Sequence, residues 1–312
     1  MDFIDLHCDT LYKSATMNLS LDDKIMEVTQ SENKKSRWLQ CYAVWIPDDY
    51  TFEMAEELFF KSLKKLNDEC KRLNIRLISK KENVTSVFKN NINTALLTVE
   101  NAKVIGYDIK NIKLLSELGV KIITLTWNGS NQIGDGAQVT GANGLTDFGR
   151  KAVSEMEKNG IVIDISHASD KLFYDVAQIA SRPFIATHSD SRSVVNNKRN
   201  LTDEQFKIII EKKGIVGINF HNEFLSENST KSTKYDVFSH IEKFLSLGGE
   251  NTICIGSDFD GCNLPCDMPK KIFIRDLYEL FLNQNYNETL VRKIFHENAL
   301  NFFENFDNSR IM

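Results

Sequence analysis

The residues with ligand or proton-transfer chemistry stand at the ends of short apolar runs. Phe3-Ile4-Asp5-Leu6-His7-Cys8-Asp9 finishes with an imidazole and a carboxylate two residues apart, and side chains two apart on a strand project to the same side. The run from Thr94 to Val99 delivers Glu100, and Ile161-Val162-Ile163-Asp164-Ile165-Ser166 delivers His167. Pro183 to Thr187 leads into His188, and Ile253-Cys254-Ile255-Gly256-Ser257 into Asp258. Each has a plainer reading when taken singly. Glu100 would serve to cap a following helix, and a histidine at a strand end is often a hydrogen-bonded structural residue. Asp260-Gly261 has turn chemistry, so Asp260 is assigned to a turn. Together, His7, Asp9, Glu100, His167 and His188 form a set of imidazoles and carboxylates, the ligands of zinc and similar divalent ions. That set exceeds what one tetrahedral ion uses. It suits two ions, Zn2+ or another divalent cation, sharing Glu100, whose two oxygens and longer reach allow it to bridge. Two ions about 3.5 Å apart share a hydroxide and bring its pKa towards neutrality. Asp258 is then left to orient that hydroxide and shuttle its proton.

These groups meet only if a fold gathers strand ends at one rim. Strands are expected at residues 3–6, 39–46, 94–99, 121–126, 161–165, 184–187, 215–220 and 252–256, with amphipathic stretches between them. Phe52, Ala55, Phe59, Leu66, Cys70 and Leu73 recur at three-or-four spacing and give one buried helical face. Thr202-Asp203-Glu204-Gln205 offers an N-cap with acids in the first turn, and Gly214 is expected to end that helix. Residues 287–303, with Leu290, Ile294 and Ala299 on one side, predict a terminal helix. Strands alternating with helices through right-handed crossovers point to an α/β fold, a (β/α)8 TIM-type barrel with a C-terminal helical extension. With no Pro/Gly/Ser linker and no low-complexity tract, residues 1–312 are expected to form a single domain. The alternative, a doubly wound open sheet, lacks support: there is no G-x-G-x-x-G after the first strand and no P-loop anywhere. At the top of a barrel strand, His7 and Asp9 would face the mouth, where active sites are built.

Composition narrows the function classes. The chain has 38 Lys and Arg against 43 Asp and Glu, a net charge of −5, and 42% hydrophobic residues, too apolar for a disordered chain. No apolar run approaches the roughly 20 residues of a spanning helix. The acidic balance argues against nucleic acid as partner, and the pairs Lys34-Lys35, Lys64-Lys65 and Lys80-Lys81 sit among acids as solvated faces. Six cysteines, irregularly spaced and without a C-x-x-C pair, suggest neither zinc ribbon nor disulfide scaffold; Cys262 and Cys266 are read as reduced loop thiols. The start carries acid where a signal peptide carries Lys or Arg. A cytoplasmic location is expected.

The ordered series of motifs resembles the renal (membrane) dipeptidase family, the M19 metallopeptidases, over nearly the whole chain. The resemblance rests on Asp5-Leu6-His7-Cys8-Asp9, Val99-Glu100, Thr124-Leu125-Thr126, Gly144-Leu145-Thr146-Asp147-Phe148-Gly149 and Asp164-Ile165-Ser166-His167-Ala168-Ser169. It continues through Thr187-His188-Ser189, Lys198-Arg199-Asn200-Leu201, Val216-Gly217-Ile218-Asn219-Phe220 and Gly256-Ser257-Asp258-Phe259-Asp260-Gly261. It implies one zinc on His7, Asp9 and Glu100 and a second on Glu100, His167 and His188. It further implies Asp258 as acid/base and Arg199 as holder of the substrate's terminal carboxylate, a bidentate task suited to guanidinium. The implied substrates are small dipeptides, with tolerance of a D-residue at the second position, and a homodimer is implied as well. The sequence departs from the pattern at Trp127, where better-studied members carry a histidine thought to polarise the scissile carbonyl. An indole cannot carry a proton at neutral pH. Either Asn128 or Asn131 supplies that help, or substrate preference differs, with Trp127 a wall of the substrate pocket. The family's surface-anchored members have a leader and anchor signal that this chain is expected to do without. Two other readings remain open at this level: a hydrolase of lactones or cyclic amides on the same type of barrel, and a non-enzymatic protein with a structural metal.

Overall fold

Parallel strands dominate the computed structural model, which describes residues 1–29, 36–271 and 274–308. The strands are β1 (Phe3–Cys8), β2 (Trp38–Trp45), β3 (Arg76–Leu77), β4 (Asn93–Glu100), β5 (Val120–Thr124), β6 (Val162–Asp164), β7 (Val216–Ile218) and β8 (Ile253–Ile255). They pair in the order β6-β5-β4-β2-β1-β8-β7, with β3 joined to β4 off this path. The expected strand at 184–187 is not one. Ile185 and Ala186 instead make single bridges, to Asp164 on one side and Val216 on the other. Backbone hydrogen bonds still cross both gaps, from Ile165 N to Ile185 O and from Gly217 N to Ala186 O, each 2.8 Å. The ring of strands therefore closes as a barrel, with residues 184–187 as its narrowest stave. The two-residue β3 was not expected; its polar, half-exposed sequence gives no strand signal. The later strands are also shorter than expected. The Lys34-Lys35 pair lies outside the described residues.

The helices follow their local chemistry. Thr51 caps Phe52–Leu73 by accepting from Met54 N, Asn74 ends it in the left-handed conformation, and Ala55, Leu58, Phe59, Leu66 and Cys70 are buried on one face. Thr202 and Gln205 form a reciprocal capping box on Asp203–Glu211. The end of that helix corrects an expectation: Lys213, with φ 58°, takes the left-handed position. Gly214 serves close packing, since a Cβ there would lie 2.0 Å from the Phe184 carbonyl oxygen. The terminal segment is two helices, Glu288–Arg292 and Asn298–Asn308, joined by a π turn.

Two apolar cores result. A large one lies between strands and outer helices. A smaller one holds Ile4, Leu6, Leu39, Leu96, Ile122, Val162 and Ile185 from the strands together with Phe88, Leu300 and Phe303. The helices Val84–Asn90 and Asn298–Asn308 thus plug one end of the ring and leave the C-terminal strand ends to the site. Among the described residues no helix is long and apolar enough to cross a membrane, and all six cysteines are free.

Candidate metal centre

His7 belongs to β1, Asp9 follows it, and Glu100 is the last residue of β4. Glu100 does not cap the next helical turn, whose cap is Asn101. His167 lies three residues beyond β6, Asp258 three beyond β8, and His188 directly after the narrow stave. His167 (φ 66°) and Asp258 (φ 63°) both adopt the left-handed conformation, which costs non-glycine residues energy and gathers at functional sites. Gly217 and Gly256 set the depth of His188. A Cβ on either would lie within 2 Å of the Thr187 carbonyl oxygen, so that stave leans into the space they leave.

The expected ligands converge. His7 with Asp9 and Glu100, Glu100 with His167 and His188, and His7 with His188 and Asp258 form clusters whose ligand atoms lie within 4.8 Å of one another. Glu100 Oε2 lies 3.5 Å from His7 Nε2, while its Oε1 lies 2.8 Å from His167 Nε2 and 3.7 Å from His188 Nε2. One oxygen thus faces each half of the cluster. His167 Nδ1 meets Asn128 Oδ1 at 2.9 Å, and His188 Nδ1 meets Thr187 Oγ1 at 2.8 Å. The Thr187 hydroxyl donates to Asp164 Oδ2 at 2.6 Å, which leaves it to accept from His188. Both rings therefore carry their proton on Nδ1 and turn an Nε2 lone pair inward, with the two Nε2 atoms 3.0 Å apart.

These residues fit divalent cations. His7 Nε2 and Asp9 Oδ1 are buried without a hydrogen-bond partner, a costly state that a cation relieves. Burial, with Arg199 adding to it, pushes His167 down to about 4, and burial with the neighbouring positive groups holds His188 well below its ordinary value. Both rings are thus neutral. Burial opposes a charge on His7, but Glu100 and Asp9 outweigh it and hold its pKa well above the usual value. A site that charges an imidazole in this way is short of positive charge. Burial would likewise raise Glu100, yet the positive charge on His7 outweighs it and holds the carboxyl well below its ordinary range.

Around the cluster lies a cavity of about 250 Å³, below the size of sites for drug-sized ligands. Burial raises the Asp258 carboxyl to about 7, with the Asp9 and Glu100 charges adding to it and His7 opposing; Asn219 Nδ2 donates to its Oδ2 at 3.1 Å. Trp127 and Asn128 both line the cavity. Asn131 does not: its amide is engaged by Asn101, Leu125, Ile133 and Gly134. Arg199 stands one side chain back, buried behind Phe224. Its guanidinium is 5.4 Å from that ring, its Nη2 donates to His188 O, and its Nε has no partner. Asp260 occupies its turn at φ 65° and accepts from Thr10 Oγ1 at 2.6 Å and Lys13 Nζ at 2.8 Å. Sequence reading missed Tyr12, Trp45, His221 and Phe224 as lining residues. Only His221 carried a signal, three residues beyond β7.

Imidazoles and carboxylates gathered at the open end of a parallel barrel, around cation-hungry atoms, are the construction of a metal-dependent hydrolase. Residues 1–310 match the membrane dipeptidase family, peptidase family M19, and the chain belongs to that family of metallopeptidases. It is similar to the structure of dipeptidase AC, a metallopeptidase of the same family, at 26% identity and TM-score 0.89, over 97% of this chain and 98% of that one. A metallopeptidase from Rhodobacter sphaeroides, solved with a phosphinate mimic of the dipeptide L-Ala-D-Ala, gives 25% identity and TM-score 0.89 over 97% and 99%. An uncharacterized dipeptidase of Schizosaccharomyces pombe is 29% identical over 199 residues, 62% of this chain and 48% of its own length. The chain thus spans about half of that relative.

Proposed function

We propose that the protein is a zinc-dependent dipeptidase, cytoplasmic, that cuts small dipeptides bearing a free C-terminal carboxylate. Two Zn2+ would be held by His7, Asp9, Glu100, His167 and His188. The observation that carries the reading is Glu100 facing His7 with one oxygen and His167 and His188 with the other, beside the orphaned His7 Nε2 and Asp9 Oδ1. When bound, the ions supply a Lewis acid for the amide carbonyl and an acidified water. Asp258, with its carboxyl raised to about 7, takes a proton from the attacking water and gives it to the departing amine nitrogen. Asn219 holds the carboxylate in place for both transfers. Arg199 attracts the terminal carboxylate from behind Phe224, and the small cavity excludes longer peptides. The ligand of the Rhodobacter relative supports tolerance of a D-residue at the second position.

The test pairs metal analysis with hydrolysis of L-Ala-L-Ala, L-Ala-D-Ala, their C-terminal amides, and a set of lactones and cyclic amides. Two zinc ions per chain are expected, with dipeptide turnover that disappears on chelation and falls at least about tenfold for the amides. Turnover of lactones or cyclic amides without any dipeptide would overturn the reading.

A further inference from the structure

Tyr12, Trp45 and Trp127 line one side of the cavity as a continuous aromatic wall. The Tyr12 and Trp45 ring centroids are 4.8 Å apart at 76°, and those of Trp45 and Trp127 are 5.0 Å apart at 67°. Each ring meets the next edge-to-face, an arrangement that fixes both. None of the three is buried in the core. Their attachment is rigid. Trp45 ends β2, Tyr12 lies in the helix Thr10–Met17 that begins just after Asp9, and the Trp127 loop is tied down by Gly129 N donating to Asp48 Oδ2 at 2.7 Å.

In the ring of strands β7 lies opposite β4, so His221 and Phe224, which follow β7, stand across from the wall that follows β1, β2 and β5, and Arg199 packs on the Phe224 ring. A dipeptide whose carboxylate is drawn to the Arg199 side must place its N-terminal residue towards the wall. No Lys or Arg is among the described residues lining the cavity, whereas Asp9, Glu100, Asp258 and Asp260 are. A charged side chain against that wall would lose its hydration with no oppositely charged partner among the three rings. An apolar one would displace water from three aromatic faces.

We propose that the Tyr12–Trp45–Trp127 wall, facing Arg199 across the cavity, selects dipeptides with a bulky apolar or aromatic N-terminal residue. The inference rests on the dipeptidase reading and adds its substrate class. The experiment measures kcat/KM of the zinc-loaded enzyme for X-Ala dipeptides, X being Gly, Leu, Phe, Glu or Lys, with alanine of the faster-cleaved configuration. Phe and Leu should exceed Gly and Glu by at least about tenfold. In Trp45→Ala and, separately, Tyr12→Ala, the Phe-to-Gly ratio should fall several-fold, while Trp45→Phe should keep most of it. A flat panel, a preference for Glu or Lys, or an unaltered Phe-to-Gly ratio in both alanine variants would overturn the proposal while leaving the dipeptidase reading standing. Failure of the unaltered enzyme to cleave any of these dipeptides would remove both.

Discussion

Asp5 and Asp164 stand a few residues before the ligands they precede, and their surroundings differ sharply from those of Asp9 and Glu100. Asp5 accepts from Ser257 N at 2.8 Å, Ser257 Oγ at 2.6 Å and Gln40 Nε2 at 2.7 Å. Asp164 accepts from the hydroxyls of Thr124 and Thr187 at 2.5 and 2.6 Å and from the N–H groups of Ser166 and Thr187 at 2.9 Å. Asp9 Oδ1, equally buried, has no donor among the described residues, and the close neighbours of Glu100 are imidazoles. The histidines divide in the same way. His240 accepts from Ser191 N at 3.0 Å and faces Leu225 O at 3.1 Å, whereas His7 Nε2 meets no hydrogen-bond partner. Residue type and burial are alike in both regions. What separates a structural carboxylate or imidazole from a metal-seeking one is whether the protein itself fills the lone pairs.

That contrast can be broken from either side. The largest effect belongs to the unfilled region. Glu100→Gln keeps the shape but lacks the second anionic oxygen, and should lower dipeptide turnover at least about a thousandfold while releasing at least one metal equivalent. Full activity with both metals retained would remove the bridging role. In the filled region, Asp164→Asn turns an N–H towards donors and should cost about 2–4 kcal/mol in urea unfolding of the metal-free protein. Its relay sharpens the comparison further. Thr187→Val deprives His188 Nδ1 of its acceptor and should weaken metal affinity about 10–100-fold in chelator competition, with Thr187→Ser restoring it. Equal affinities in both Thr187 variants would mean that the ring is oriented by packing alone.

The convergence of the candidate ligands was legible because each follows an apolar run, and runs of that kind predict parallel strands whose ends share a rim. Less was legible where tertiary contacts decide. Residues 184–187 read as a strand because Phe184-Ile185-Ala186 is apolar, yet Thr187 sits against Gly217 and Gly256 and leaves room for only single bridges. β3 holds its place through two pairings with β4, which composition does not announce. Arg199 could be named only through the family resemblance, since an arginine after a lysine reads as surface, and its burial depends on Phe224 and His188 folding around it. Tyr12 and Trp45 carry no motif; their meeting with Trp127 is a property of three separate strand ends.

Glu27 offers a case between the two regions and the smallest expected effect. Its carboxylate is largely buried and, among the described residues, takes one hydrogen bond, from Asp260 N. Burial raises its pKa from 4.5 to about 7, with Asp260 and Asp258 adding to the rise and Lys13 opposing it. Between those values the folded protein holds a proton that the unfolded chain has released. Glu27's contribution to stability therefore falls as pH rises through that window, and the full cost of the buried charge is present above pH 7. E27Q removes the titration and keeps an oxygen for Asp260 N. In the chelated protein it should be more stable than the parent by on the order of 2–3 kcal/mol at pH 8, with the difference fading towards pH 4.5. Parallel stability curves would mean that a single backbone donor is enough to satisfy a buried carboxylate here. The absence of partners around Asp9 would then weigh correspondingly more as the mark of a cation site.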